Sequence, residues 1–431
     1  MNHNLMHPAD QLVSIMNRIY KNGLTTTSGG NLSIIEENGD IWITPGGIDK
    51  GTLRRADICQ VKPDGQVLGP HKPSIELPFH ASIYKKRPDI KAILHAHPPH
   101  MVAFSVVRTL PDINLSPNSR IVCGDIRMAA YDVPGSSELG EIISGEFARG
   151  PNIVVLENHG LVVGDKTLFD CYMKFETLEA TAELHINANK LGRLKTPSEA
   201  EYTIVSASDT NVLGNFSLIN HSTSAEECAA RRDMIMFIKR SCKQGLFGST
   251  HGTYSVRLSG DSFLITPHNA DRAYLAEDDL VLVKNGMKES GKTPSKSVHI
   301  HKLIYEKHPN INSVIGAAPP NAMAFAVTDT VFDPRTIPES YLLLREIKKT
   351  GFVSIFIDME KVVDMISEKT PVLICENNQI LATGNSLLHA FDRLEVCEAT
   401  ARAIIATKNI GDLVYISEEE IKKIDIAFNL N

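Results

Sequence analysis

The chain has 431 residues, of which 42% are hydrophobic and 22% charged, and this ordinary globular composition excludes collagen-like and disordered proteins. At about 100–200 residues per domain, the length predicts two or three domains. The 44 Lys and Arg against 51 Asp and Glu give a net charge of −7, which without long basic runs argues against nucleic-acid binding.

The sequence also predicts a cytoplasmic chain without a membrane partner. No apolar stretch approaches the roughly 18–20 residues that span a bilayer, and residues 1–8 lack the basic and apolar regions of a secretory signal. Seven scattered cysteines without a C-x-x-C pair favour reduced thiols over a disulfide framework. Any metal ligands are therefore expected among His, Asp and Glu.

Hydrophobic spacing predicts the elements of the first half, and their mixture of strands and helices indicates an α/β sandwich. In chain order the sequence predicts a helix over 12–21, strands over 32–35 and 40–44, a helix over 76–86, a strand over 90–97, a strand over 153–157 that resumes over 161–163, and a helix over 167–191.

The chain contains an internal duplication. Residues 92–106, AILHAHPPHMVAFSV, align with residues 313–327, SVIGAAPPNAMAFAV, and six of the fifteen pairs are identical. A repeat offset of about 221 residues is a whole fold rather than a solenoid unit. We therefore expect a first domain over 1–205, a polar linker over 206–224 and a second domain over 225–431, whose first helix starts at Ser224.

Three histidines of the first half form a candidate metal site. His95 and His97 lie at the end of a predicted strand, where residues i and i+2 project on the same face, and His159 lies at the end of another. Three nitrogen ligands with an open position are typical of catalytic zinc. The second copy has lost all three histidines together, as one functional unit would be lost, and carries Gly316, Ala318 and Asn378.

Glu76 belongs to the same set. It stands at a predicted helix start, where an acid can simply favour the helix dipole, but its counterpart in the second copy is Ser297. Joint loss with the histidines favours a metal-site role, as fourth ligand or general base. The similar-looking His299 and His301 lie on a predicted helix, where i and i+2 do not face each other, and are interpreted as non-metal.

Small-residue turns beside the strands predict an anion cradle, because glycines let backbone N–H groups approach an anion and hydroxyls add donors. No nucleotide-binding fingerprint is present, so neither ATP nor NAD is indicated. The cradle residues are Ser28, Gly29, Asn31, Gly46, Gly47 and Ser74.

Ordered motifs across the first half resemble the signature of the class II aldolase/adducin family, which includes fuculose-phosphate and rhamnulose-phosphate aldolases and ribulose-phosphate 4-epimerase. The second half carries the signature more weakly. The motifs are GNLS at 30–33, TPGG at 44–47, PSIE at 73–76, HASIY at 80–84, HAHPP at 95–99, NHG at 158–160 and FETLEA at 175–180.

The resemblance implies a three-layer α/β/α sandwich with Zn²⁺, or alternatively Mn²⁺ or Co²⁺, on His95, His97 and His159. It implies Glu76 as the acid/base residue and a substrate phosphate at the small-residue turns. The implied reaction is retro-aldol cleavage of a sugar phosphate or related hydroxy-ketone through a metal-stabilised enediolate. Ile75 departs from the family pattern, which commonly has a hydroxyl residue there, and this weakens the phosphate cradle.

Two alternatives share the fold, and one belongs to another class of protein. A decarboxylase of a 3-oxo sugar acid phosphate needs the same metal site, whereas the epimerase pattern places Asp where this chain has Glu76. An adducin-like interaction protein would lack the metal ligands. The family's borrowed tyrosine is not placed by the sequence, and Tyr131 and Tyr202 are two options.

The second half is expected to be catalytically inactive and structural. The family resemblance implies four-fold assembly with active sites between neighbours. We therefore expect a homo-oligomer, in which two chains form a pseudo-tetramer of alternating active and inactive domains. The inactive domain would then supply one wall of the active site, through His251 or His268.

Overall fold

The computed structural model describes residues 5–207, 213–217 and 222–430, and it divides into two compact units. The first contains residues 1–113 and 118–183, and the second contains residues 114–117 and 184–431. The boundary between residues 183 and 184 falls inside the long helix Leu168–Leu191. Of the expected linker over 206–224, residues 208–212 and 218–221 lie outside the described residues, and the sequence-derived domain limits stay a prediction.

The first half builds one mixed sheet with helices packed against it. Its elements are α1 (Pro8–Lys21), β1 (Asn31–Ile35), β2 (Ile41–Ile43), β3 (Cys59–Val61), β4 (Val67–Leu68), α2 (Leu77–Lys86), β5 (Ala92–Ala96), α3 (Pro99–Val106), α4 (Pro117–Cys123), β6 (Ile126–Ala129), α5 (Ser137–Phe147), β7 (Ile153–Leu156), β8 (Leu161–Asp165) and α6 (Leu168–Leu191). The sheet order is β4-β3-β2-β1-β5-β8-β7-β6, and among the described strands of this sheet only the β6–β7 pairing is parallel.

The predicted elements of the first half all have counterparts, with shifted ends. α1 begins before the predicted helix because Pro8 suits the first helical position and the His7 side chain accepts the Ala9 N–H at 3.2 Å. Residues 161–163 do not continue the preceding strand. They belong to β8, which pairs antiparallel with β7, because Asn158 adopts a left-handed φ of 52° and reverses the chain.

The second half repeats this architecture. Its elements are α7 (Glu199–Ala207), β9 (Asn215–Phe216), α8 (Ala225–Lys243), β10 (Thr253–Leu258), β11 (Ser262–Ile265), β12 (Val281–Lys284), β13 (Met287–Glu289), α9 (Val298–Lys307), β14 (Ser313–Ala317), α10 (Pro320–Ala326), α11 (Pro338–Leu344), β15 (Ile347–Thr350), α12 (Ser354–Ile357), α13 (Met359–Asp364), β16 (Val372–Cys375), β17 (Gln379–Gly384), α14 (Leu387–Thr407) and α15 (Glu418–Ala427). The order β15-β16-β17-β14-β10-β11-β12-β13 reproduces the first sheet, and β9 adds an edge strand.

Alternating strand residues bury both faces of the sheet, which confirms the three-layer arrangement. Along β14, Val314 packs in a cluster with Ile304 of α9, whereas the next residue, Ile315, packs in the opposite cluster with Phe391 of α14. In the first half, Ile93 of β5 packs in a cluster with residues of α2 and α5. Within the described part of the chain, no helix combines the length and apolarity needed to cross a bilayer.

Candidate active site

Two neighbouring strand ends bring the three predicted histidines together. His95 lies on β5, His97 directly follows that strand, and His159 lies in the turn between β7 and β8. Their ligand nitrogens all lie within 4.8 Å of one another. The Nε2 atoms of His95 and His97 are 3.1 Å apart, so the three rings lie close enough for their nitrogens to share one ion.

Buried surroundings keep these rings in the neutral form that metals bind. The Leu161 carbonyl can only accept, so His95 Nδ1–H donates to it at 3.0 Å and leaves Nε2 as the ligand atom. Burial, together with His97 and His159, holds the pKa of His95 well below its usual value. Burial also lowers the pKa of His97 and of His159, while the neighbouring Glu76 carboxylate opposes that shift in both.

Glycines allow the chain segments around the histidines to approach closely. A Cβ at Gly160 would lie 2.6 Å from His97 Cδ2 and 2.7 Å from the Ala96 carbonyl oxygen. Gly30 has a φ of +72°, and its Cβ would lie 2.6 Å from the His95 carbonyl oxygen. Only glycine fits at both positions without displacing β5.

Glu76 completes the cluster from the start of α2. Its Oε2 is 3.4 Å from His95 Nε2, and its Oε1 is 3.6 Å from His159 Nε2. The side chain is buried, and Oε1 has no hydrogen-bond partner among the described residues. A buried carboxylate oxygen without a donor is costly unless a cation compensates it, so the residues present fit a divalent metal ion of the kind bound by imidazole and carboxylate.

A chain of buried hydrogen bonds supports Glu76 from behind. Asn31 Nδ2 donates to Glu76 Oε2 at 2.6 Å, and Asn31 Oδ1 lies 2.5 Å from His80 Nε2. His80 Nδ1 lies 2.7 Å from Ser33 Oγ, which lies 2.7 Å from the Tyr84 hydroxyl. No local sequence pattern assigned a role to His80, Ser33 or Tyr84. Their recurrence in the second copy as His301, Ser255 and Tyr305 was the available signal.

The predicted cradle residues fall into two groups. Gly29 lies beside the histidine cluster, because its Cβ would be 3.1 Å from His97 Nδ1, and the neighbouring Ser28 is exposed. Gly46 lies beside Ser74, with 3.5 Å between its Cβ position and Ser74 Cα, and Gly47 turns the chain with a φ of +68°.

Some of the predicted donors already have partners inside the protein. The Gly46 N–H donates to the Lys72 carbonyl at 3.2 Å, and Ser74 Oγ accepts the Glu76 N–H at 3.3 Å. Asn31, also predicted for the cradle, faces Glu76 instead of solvent. Ile75 is 72% exposed. Phosphate binding at these turns stays a prediction.

The two candidate tyrosines and His251 have different surroundings, and so does His100, which follows the HAHPP motif. His100 stands at the start of α3, where its N–H and ring contact Glu179. Tyr131 is 53% exposed, whereas Tyr202 is buried and donates to the Asn114 carbonyl within the second unit. His251 lies in the second unit, where burial and Arg272 lower its pKa to about 4.

His268 also lies in the second unit, in the turn that follows β11. Its N–H donates to the Thr293 carbonyl at 2.8 Å. A role for either second-unit histidine in an active site stays a prediction.

The chain is similar to proteins of one known family. The family described as Class II Aldolase and Adducin N-terminal domain matches residues 10–186 and 232–405. L-fuculose phosphate aldolase of Methanococcus maripaludis strain C5 is 36% identical over 42% of this chain and 96% of its own. The 3-oxo-tetronate 4-phosphate decarboxylase of Haemophilus influenzae is 33% identical over 40% of this chain and 84% of its own.

A solved structure of a sugar-phosphate aldolase from Thermotoga maritima is 26% identical, covers 44% of this chain and 98% of its own, and gives a TM-score of 0.39. The two family matches together cover most of the chain. The chain therefore belongs to the class II aldolase and adducin family, as a tandem duplication. Its relatives make it an enzyme of the class II aldolase type.

Proposed function

We propose that the chain is a metal-dependent aldolase that cleaves a sugar phosphate or a related hydroxy-ketone. The observation that carries this proposal is the convergence of three neutral imidazoles on a buried carboxylate whose Oε1 has no hydrogen-bond partner among the described residues. The archaeal relatives named L-fuculose phosphate aldolase support the same substrate class.

His95, His97 and His159 would hold the ion, with Zn²⁺ favoured by the nitrogen donors and Mn²⁺ or Co²⁺ as alternatives. A bound divalent ion supplies Lewis-acid polarisation of a substrate carbonyl. Glu76 is the acid/base residue: its Oε1 accepts the proton of the substrate hydroxyl as the carbon–carbon bond opens, and returns a proton afterwards. Burial of His95 and Glu76 excludes water, which strengthens these electrostatic contacts.

Decarboxylation of a 3-oxo acid phosphate is the second candidate. It is favoured by the Haemophilus influenzae relative named for that reaction, and it needs the same carbonyl polarisation. Retention of all three histidines and Glu76 argues against a non-catalytic adducin-like role, because such a role gives no reason to gather four metal-binding groups in one cluster, of which His95 and Glu76 are buried.

The proposed function is tested by assaying the full chain with L-fuculose phosphate and with 3-oxo-tetronate 4-phosphate. Aldehyde release identifies an aldolase and CO₂ release a decarboxylase. Elemental analysis of the purified chain is expected to give one divalent ion per chain. No metal and no turnover of either compound would instead favour the interaction protein.

We further propose the domain assignment 1–205 catalytic, 206–224 linker and 225–431 inactive, with two chains forming a pseudo-tetramer of domains. The loss of the metal-site residues from the second copy supports the inactive assignment. All seven cysteines, which lie within the described residues, are thiols rather than halves of disulfides, and this suits a chain in the reducing cytoplasm. Light scattering in solution tests the oligomer, and a monomer that retains full activity would contradict it.

A further inference from the structure

The hydrogen bonds behind Glu76 can run in only one direction. An ionised carboxylate only accepts, so the Asn31 amide must turn its NH₂ towards Glu76 and its Oδ1 towards His80. Since Oδ1 also only accepts, His80 Nε2 must carry the proton and donate it.

The donor and acceptor roles of the remaining groups, as far as Tyr84, then follow. A neutral His80 with Nε2 protonated must accept at Nδ1 from the Ser33 hydroxyl. Ser33 Oγ in turn accepts from the Tyr84 hydroxyl. His80 is fully buried, and burial together with the nearby His95 holds its pKa well below the usual value, so the neutral ring is the form present.

The second copy shows which of these hydrogen bonds belong to the fold in general. Ser255 Oγ lies 2.7 Å from His301 Nδ1 and 2.6 Å from the Tyr305 hydroxyl, the same arrangement as in the first copy. The counterpart of Asn31 is Thr253, which bonds Ser295 at 2.7 Å instead. His301 Nε2 is left buried with no partner among the described residues. The link beyond the imidazole is therefore present only in the copy that has Glu76.

We propose that Asn31 and His80 are positioning residues that fix Glu76 so that Oε2 is held and Oε1 is the reacting oxygen. This rests on the proposed function of Glu76 as acid/base. Oε2 takes the 2.6 Å bond from Asn31, while Oε1 faces His159 without a hydrogen bond. His80 acts through Asn31: without its Nε2–H, the amide is free to flip, and its Oδ1 would then repel the carboxylate.

The experiment compares two substitutions of His80, one disruptive and one conservative, with a matched control in the second copy. All variants are made in the full chain. His80→Leu removes the donor, whereas His80→Gln places an amide N–H near the Nε2 position. His301→Leu makes the same apolar change in the copy that lacks the acid. Turnover of L-fuculose phosphate and of 3-oxo-tetronate 4-phosphate, metal content and melting temperature are measured for each variant.

We expect His80→Leu to lower kcat by about 100-fold with little change in KM or metal content, because a misplaced acid/base group costs about that much. His80→Gln is expected to recover most of the lost kcat. His301→Leu is expected to leave turnover unchanged. Equal losses in the Leu and Gln variants, or a loss in KM and metal content instead of kcat, would overturn the proposal.

An independent readout needs no turnover. In a sample labelled with ¹⁵N-histidine, the His80 resonances, assigned by their absence in the Gln variant, are expected to show a protonated Nε2 and an unprotonated Nδ1. The opposite tautomer would overturn the directed chain even in an active enzyme. If wild-type protein turns over neither compound while the expected tautomer is present, the proposed function fails and the hydrogen-bond assignment stands.

Discussion

The ends of β5 and β14 occupy equivalent places in the two copies but carry different side chains and have different neighbours. In the first copy His95 projects from β5, and Gly160 leaves room beside the rings. In the second copy the strand carries Gly316, and a Cβ there would lie 2.4 Å from the side-chain oxygen of Gln379, the counterpart of Gly160. Gln379 is buried, so its amide occupies space next to the position from which a histidine would project.

This exchange shows that the second site is closed as well as stripped of ligands. In the first copy any side chain at Gly160 meets His97, so the histidine cluster requires glycine there. Once the histidines are absent, a larger residue fills the cavity that they would otherwise leave, which restores packing. In the turn that precedes Gln379, Asn377 donates to the carbonyls of Leu115 and Lys195 at 3.0 and 2.8 Å within the second unit.

Other parts are shared by both copies and therefore belong to the fold. Glu179 accepts the Met101 N–H at 2.9 Å at the start of α3, and Glu398 accepts the Ala322 N–H at 2.7 Å at the start of α10. Each carboxylate thus satisfies helix N-terminal donors that would otherwise be unpaired. Because this cap persists in the copy that lacks the three histidines, it is a structural feature of the fold. The same holds for the hydrogen bonds within the Ser33–His80–Tyr84 trio, which recur in the second copy, whereas the link from His80 to Asn31 does not.

The largest expected effect comes from His95→Ala in the first copy. Removing the fully buried ring takes away a central ligand and its hydrogen bond to Leu161, so metal content and turnover are expected to fall to background. The matched control is His299→Ala, which breaks the similar-looking His-x-His of α9. Elemental analysis checks both, and metal loss from the control would contradict a site confined to the first copy.

Glu76→Gln is expected to lower kcat by about 10²–10⁴-fold while metal stays bound, because the amide cannot exchange a proton as a carboxylate does. The helix-dipole interpretation of Glu76 is tested by Glu138→Gln, which neutralises an acid in the first turn of α5. That control is expected to retain full turnover. If turnover fell by a similar factor in both variants, in parallel with the melting temperature, the role of Glu76 would be to stabilise its helix instead.

The sequence was most informative where one copy could be compared with the other. The joint loss of His95, His97 and His159 from the second copy predicted a cluster that the structure does bring together. This prediction was possible because the residue type at each strand end can be read directly from the sequence. The duplicated family membership was also confirmed, since the motifs are strictly ordered along the chain. These features depend on residue type and on strand periodicity, which the sequence contains directly.

The sequence was less informative about partners across the fold. It placed Asn31 in an anion cradle because of its small neighbours, yet the side chain faces Glu76 and His80, 45 and 49 residues away. It also gave no sign that Gln379 would fill the space beside Gly316. Such pairings follow from sheet register and helix placement, which are set by tertiary packing and are not encoded in a local pattern.

Reopening the second site tests its closure. Gly316→His alone is expected to lower the melting temperature of the second unit, because the new side chain meets Gln379, and overpacking typically costs about 1–3 kcal/mol. Adding Gln379→Gly is expected to restore much of that loss, and a double-mutant cycle measures the coupling by calorimetry. Additive effects of the two substitutions would mean that Gln379 does not close the site.

The smallest expected effect concerns the shared helix caps. Glu179→Gln and Glu398→Gln each weaken charge-assisted bonds to the first N–H groups of an α-helix, at a cost of about 1–2 kcal/mol. Because both carboxylates perform the same structural task, similar falls in the melting temperatures of the two units are expected, with metal content unchanged. Metal loss in the Glu179 variant alone would show that the first cap also supports the site, through the adjacent His100. Glu179 would then belong to the functional site of the first copy, whereas Glu398 would remain purely structural.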